Sequence, residues 1–182
     1  MSTNWNARTI LKNICDTPLR QSVLEAFWTS GNDALRMQTL AQLATSLRFR
    51  PETLRKAPTQ RKAELLGSRM TAHEFEEALE IALMTYHTTE ASELLAAFLD
   101  EWGIPHQQGT IESEDYPVPS GADVVNAVEK LRDRFPRRNV VLYLATAGLL
   151  MGEALPKWRE ATWPLVETMA AELETSAKSA AT

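Results

Sequence analysis

Three histidines and a set of carboxylates are the residues here whose types suit metal chemistry. His73, Glu77, Glu80, Met84 and His87 recur at helical spacing, which predicts one polar stripe on a helix facing water. If that helix turns back into a second one, His106 returns to the end where His73 starts. His73, Glu77 and His106 are then candidates for a divalent metal held through nitrogen and oxygen ligands. A solvated polar face accounts for the same stripe without a metal, and no Glu-x-x-His pair of the di-iron type is present. The chain also lacks a P-loop, a Gly-x-Gly-x-x-Gly turn and a Gly-x-Ser-x-Gly elbow. No cofactor is assigned from the sequence, and the chain reads as leaning away from an enzyme.

Five tryptophans form a second set. Trp158 and Trp163 flank the charged pair Arg159-Glu160. They are candidate interface residues, because indole buries a large area with few rotors to freeze. Packing inside the chain against the last helix is the competing expectation.

The third set is basic. Residues 40–56 read Leu-Ala-Gln-Leu-Ala-Thr-Ser-Leu-Arg-Phe-Arg-Pro-Glu-Thr-Leu-Arg-Lys. Alanine early in a first helix, leucine before a turn, and Pro-x-Thr-Leu-Arg opening a second helix resemble the helix-turn-helix of bacterial DNA-binding domains. The resemblance covers 17 residues of 182. It implies that Arg50, Glu52, Thr53, Arg55 and Lys56 face DNA, with base edges met by the early residues of the second helix and phosphates by the cations. One position departs from the family pattern: Arg48 stands where the turn usually has glycine. Either Arg48 takes a positive φ or the turn is built differently.

These sets have to be positioned by helices. The apolar run Val140 to Met151 is too short to cross a bilayer, which takes about 20 residues, and it is bounded by Arg137, Arg138 and Glu153. It reads as a buried core helix capped by Asn139 and stopped at Gly152. A buried strand over Val140 to Ala145 is the alternative, but no second strand is strong enough to pair with it. Thr71 and Glu74 have the spacing of a capping box, with Met70 and Phe75 as a hydrophobic staple. They predict a helix from there to about His87. A second helix follows and ends at Trp102-Gly103-Ile104 in a Schellman closure. Together these make an antiparallel helical hairpin over residues 72–102.

Elsewhere, Thr17-Pro18, Asn32 and Ser120 with Asp123 read as helix starts. Gly67 reads as a helix stop, Pro164 as the start of the last helix, and 106–119 as a long acidic loop. Leu165, Met169 and Leu173 would be the inner face of the last helix. The expected fold is therefore all-α: seven to nine helices in a globular bundle packed around a buried helix at 140–151 and the hairpin at 72–102. The domain expectation is a single helical domain over 1–175 and a frayed tail at 176–182.

Charge is unevenly placed. Residues 1–70 hold 11 Lys and Arg against 5 Asp and Glu, and residues 71–182 hold 8 against 19, which gives +6 and −11 within a net −5. Such a split suits a basic binding face or two halves that attract each other. A single cysteine, Cys15, allows no intrachain disulfide, and the first residues carry no apolar signal-peptide core. Both fit a cytoplasmic protein without membrane association. The leading functional expectation is a non-enzymatic helical interaction or scaffold protein, with homo-oligomers or a protein partner in view. A DNA-binding regulator working through 40–56 and a metal-dependent enzyme using the histidines are the alternatives.

Overall fold

The structure, a computed structural model, describes residues 5–111, 118–151 and 156–180. It is all-α, with ten α-helices and one two-stranded ribbon among those residues. Contacts cluster into two compact units, residues 1–90 and 91–182. Each unit has its own buried centre. No helix among the described residues is long and apolar enough to cross a membrane.

The first unit is built on α2 (Thr17–Thr29). Asp16 rather than Thr17 caps it, accepting the Leu19 N–H at 3.0 Å, so Pro18 falls in the first turn where a missing N–H costs nothing. Val23 and Phe27 are fully buried. Onto α2 pack α5 (Thr59–Arg69) and α6 (Glu76–Thr88), and α1 (Ala7–Asn13) lies on α6. Gly67 does not stop α5. It sits inside that helix, where a Cβ would come 3.1 Å from Leu24 Cδ1, so its bare backbone lets α5 approach α2.

The capping box at Thr71 does not form. The chain enters α6 through a 3-10 turn at His73–Phe75 whose bonds, such as Phe75 N–H to Ala72 O at 3.2 Å, occupy the first donors without a side chain. Met70 and Phe75 are nonetheless buried, as the staple residues were expected to be.

The second unit is centred on α9 (Arg137–Met151). Val140, Val141, Leu142, Leu144 and Ala145 have no exposed surface, so the run is a helix buried over residues 140–148 and the strand alternative falls; the expected burial does not extend to Leu149, which is half-buried, or Leu150, which is exposed. The helix starts directly after Pro136 rather than at Asn139, and Asn139 N–H bonds to Pro136 O at 2.9 Å. Gly152, read as its stop, lies outside the described residues.

α7 (Ser92–Glu101) packs on α8 (Gly121–Leu131), and α10 (Pro156–Ala180) packs on α8 and α9. The two helices expected as a hairpin thus both form, but the unit boundary falls in the link between them. α6 finds its partners in the first unit and α7 in the second. The Schellman closure of α7 is present: Gly103 has φ 65°, and Ile104 N–H reaches Leu99 O at 2.9 Å.

Two further expectations are corrected. Residues 106–111 are not loop but a short hairpin, β1 (His106–Gln107) paired antiparallel with β2 (Thr110–Ile111). Gln108 and Gly109 both have positive φ, as a tight two-residue hairpin turn requires. The last helix opens at Pro156, with Pro164 inside it, and continues to Ala180 past the expected fraying point. Its buried face is Thr162, Val166, Met169 and Ala170; Leu165 and Leu173 lie half-buried beside it.

Candidate functional site

The basic segment is positioned by α3 (Asp33–Leu47) and α4 (Pro51–Arg55), which pack against each other. Asn32 caps α3 by accepting the Leu35 N–H at 3.1 Å. At the other end Arg48 adopts φ 56°, ψ 36°, the left-handed conformation that the glycine of a helix-turn-helix turn supplies. Phe49 N–H bonds to Ala44 O at 2.9 Å and Arg48 N–H to Thr45 O at 3.3 Å, which is a complete Schellman pair. A non-glycine residue held there costs about 1 kcal/mol. Leu54 is buried beneath the turn.

The consequence is a surface. Arg48, Arg50, Glu52, Thr53, Arg55 and Lys56 are all exposed, and Phe49 between the first two arginines is 44 % exposed. None of Arg48, Arg50, Arg55 and Lys56 forms an ion pair with a carboxylate among the described residues. All five residues singled out for DNA contact therefore lie on one exposed turn and short helix. α4 departs from the family pattern in length. Five residues span about 7.5 Å at 1.5 Å per residue, which is short for a helix laid along a major groove.

Beside α4 lies a cavity of about 340 Å³ lined by Trp28, Asp33, Arg36, Met37, Leu40, Arg55 and Lys62. The Lys62 ammonium sits 5.9 Å from the centre of the Trp28 ring, a cation–π distance. Arg36 donates to the Trp28 carbonyl at 2.6 Å and is ion-paired with Asp33. Sequence reasoning missed this cavity. The buried face of α3 is Leu35, Thr39, Leu40, Leu43 and Ala44, and Met37 is 53 % exposed.

His73 and Glu77 are exposed residues of the first unit, and His106 belongs to the second. No group of three or more His, Cys, Asp and Glu among the described residues is arranged to hold a metal ion. His106 is engaged locally: its Nδ1 accepts the Gly109 N–H at 3.1 Å and its Nε2 lies 3.2 Å from Asp100 Oδ1. One neutral tautomer satisfies both contacts, which makes His106 a brace of the β1–β2 hairpin. His87 does not belong to a water-facing stripe. It is buried, edge-on to Tyr86 at 5.4 Å between ring centres.

Glu80, on α6, is half-buried, and its pKa is raised by desolvation and then by the charges of Glu76 and Glu77. In the second unit Phe98 stacks on Tyr143 at 4.5 Å, and burial pushes the Tyr143 phenol well above its usual range.

Of the two interface candidates, the side chain of Trp158 lies outside the described residues. Trp163 is half-buried, with Gly148 against its ring and the Arg159 guanidinium 5.6 Å from its ring centre.

The uneven charge does not follow the unit boundary. Glu74, Glu76, Glu77, Glu80 and Glu90 fall in the first unit, so the basic patch belongs to a unit of near-neutral total charge. Part of this acid is matched inside the unit, as in Arg8–Glu76 at 3.2 Å.

Comparison with protein-family models, with curated proteins and with solved structures found no match.

Proposed function

We propose that this chain is a nucleic-acid-binding protein that docks through the α3–α4 turn. The observation that supports it is the local concentration of exposed Arg48, Arg50, Arg55 and Lys56 with no carboxylate partner among the described residues. Four like charges kept this close on a folded surface repel one another, and a polyanion relieves that repulsion while releasing its own counterions. Because α4 is short, contacts to phosphate dominate and base reading is limited to the side chains of Arg50, Glu52 and Thr53. Replacing Arg55 and Lys56 by Ala should weaken binding uniformly across sequences. It should also reduce the slope of log affinity against log salt by about 2. Unchanged affinity and slope would remove the turn from the interface.

A self-associating scaffold is the second proposal. Trp163, which keeps part of its surface accessible, supports it, because a tryptophan that is already ordered on its own chain loses little entropy at an interface. Sedimentation equilibrium of the wild type against Trp163→Ala tests it; a monomer at all concentrations sinks it.

A further inference from the structure

The cavity beside α4 has a composition that the nucleic-acid reading does not use. Its walls join an indole, a thioether and a leucine to three cations and one carboxylate. The carboxylate, Asp33, is already taken by Arg36. Arg55 and Lys62 have no acidic partner among the described residues, so the cavity keeps an excess of two positive charges. Lys62 is half-buried with its ammonium 5.9 Å from the centre of the Trp28 ring. Trp28 is 92 % buried, from 8 % relative exposure, and its Nε1 donor has no acceptor among the described residues. Met37 leaves half its surface in water at the rim. The size falls at the lower end of small-molecule sites, which start at about 300 Å³.

We infer that this cavity binds a phosphate monoester with a compact apolar body. A monoester carries between about 1.5 and 2 negative charges at neutral pH, which matches the two uncompensated cations. Arg55 offers the planar fork that engages phosphate oxygens in pairs, and Lys62 adds a point charge. The apolar body lies against Met37 and Leu40. Arg55 also belongs to the exposed face of α4, so an occupant of the cavity competes with nucleic acid for one cation. That competition rests on the proposed function; binding of the monoester does not.

The test is calorimetric titration of the full chain with phenyl phosphate, with inorganic phosphate as the control probe. The expected result is saturable binding of phenyl phosphate, at least tenfold tighter than inorganic phosphate, and weakened at least tenfold in Lys62→Met and in Arg55→Gln. Lys62→Met keeps the alkyl stem on Trp28, and Arg55 is exposed, so a folded variant is available in either case. Binding unchanged in both variants, or inorganic phosphate binding as tightly, overturns the inference. Arg48→Gln with Arg50→Gln should leave phenyl phosphate binding intact while weakening nucleic acid, which separates failure of the cavity from failure of the turn. A 5′-phosphorylated strand compared with its 5′-hydroxyl counterpart identifies the source. A preference for the phosphorylated end that is lost in Lys62→Met assigns the cavity to a strand terminus, and phenyl phosphate binding without that preference assigns it to a free molecule.

Discussion

Gly148 lies against the indole of Trp163: a Cβ built on it would stand 3.3 Å from Trp163 Cη2 and 3.4 Å from two further ring carbons. The contact joins α9 to α10 and explains why a glycine is kept inside a helix, where it costs about 1 kcal/mol against alanine. Gly148→Ala should be close to neutral, because the helix gain offsets a few tenths of an ångström of ring displacement. Gly148→Leu should cost about 1–3 kcal/mol. Adding Trp163→Ala to the leucine variant should recover part of that loss. Urea denaturation of the double-mutant cycle reads this directly, and strict additivity would mean the two residues do not touch.

Arg48 pays for its left-handed backbone. Arg48→Gly should unfold at the same urea concentration or higher, since the released strain of about 1 kcal/mol offsets the added freedom of the unfolded chain. Arg48→Val should be clearly less stable than wild type, because a β-branched residue resists φ 56° more strongly. A valine variant as stable as the glycine variant would contradict the observed turn.

Acid should act oppositely on two carboxylates. Glu80 has a raised pKa in the folded chain, from desolvation and then Glu76 and Glu77. It therefore binds its proton more tightly when folded, and its contribution is favourable at low pH and is lost as pH rises through the folded value. Glu80→Gln should stabilise at neutral pH and lose that advantage as the pH falls through the folded value, with none left below the unfolded value of about 4.3. Asp123 has a lowered pKa, from the side-chain and then the backbone hydrogen bond of Ser120. Its contribution is present above the unfolded value of about 3.9 and is lost as pH falls through the folded one. Asp123→Asn should flatten the acid limb of the stability curve. Thermal melts from pH 3 to pH 7 distinguish the two signs.

The all-α class, the helix at 140–151 with its buried part over 140–148, and the helix stop at Gly103 are readable because each follows from local chemistry. Periodicity, a Schellman glycine or a cap side chain acts within five residues. The departures have tertiary causes. Thr71 and Glu74 have capping-box spacing, yet burying Phe75 brings the chain in through a 3-10 turn. Gly67 looks like a terminator, but its missing side chain serves α2, more than 40 residues earlier in the chain. Pro164 is a normal helix opener that α10 instead absorbs in its interior.

The candidate site divides along the same line. The exposed cations of 48–56 were legible because exposure follows from polarity and the turn from Pro51. The sequence leaves open whether Arg48 is left-handed or the turn is built differently. The cavity was not legible, since it depends on α3 being rotated enough to leave Met37 in water and to place Lys62 of α5 over Trp28 of α2. His73 and His106 fall in different units, because the unit boundary lies in the link between α6 and α7.

The most direct measurement is fluorescence anisotropy of a labelled duplex and a labelled single strand titrated with the wild-type protein over a range of salt. Docking through Arg48, Arg50, Arg55 and Lys56 predicts binding at low salt that weakens with a log–log slope of roughly −3 to −4, as about four phosphate contacts require. It also predicts little change when the sequence is scrambled. No binding of either strand form at the lowest salt, or binding with no salt dependence, would contradict it.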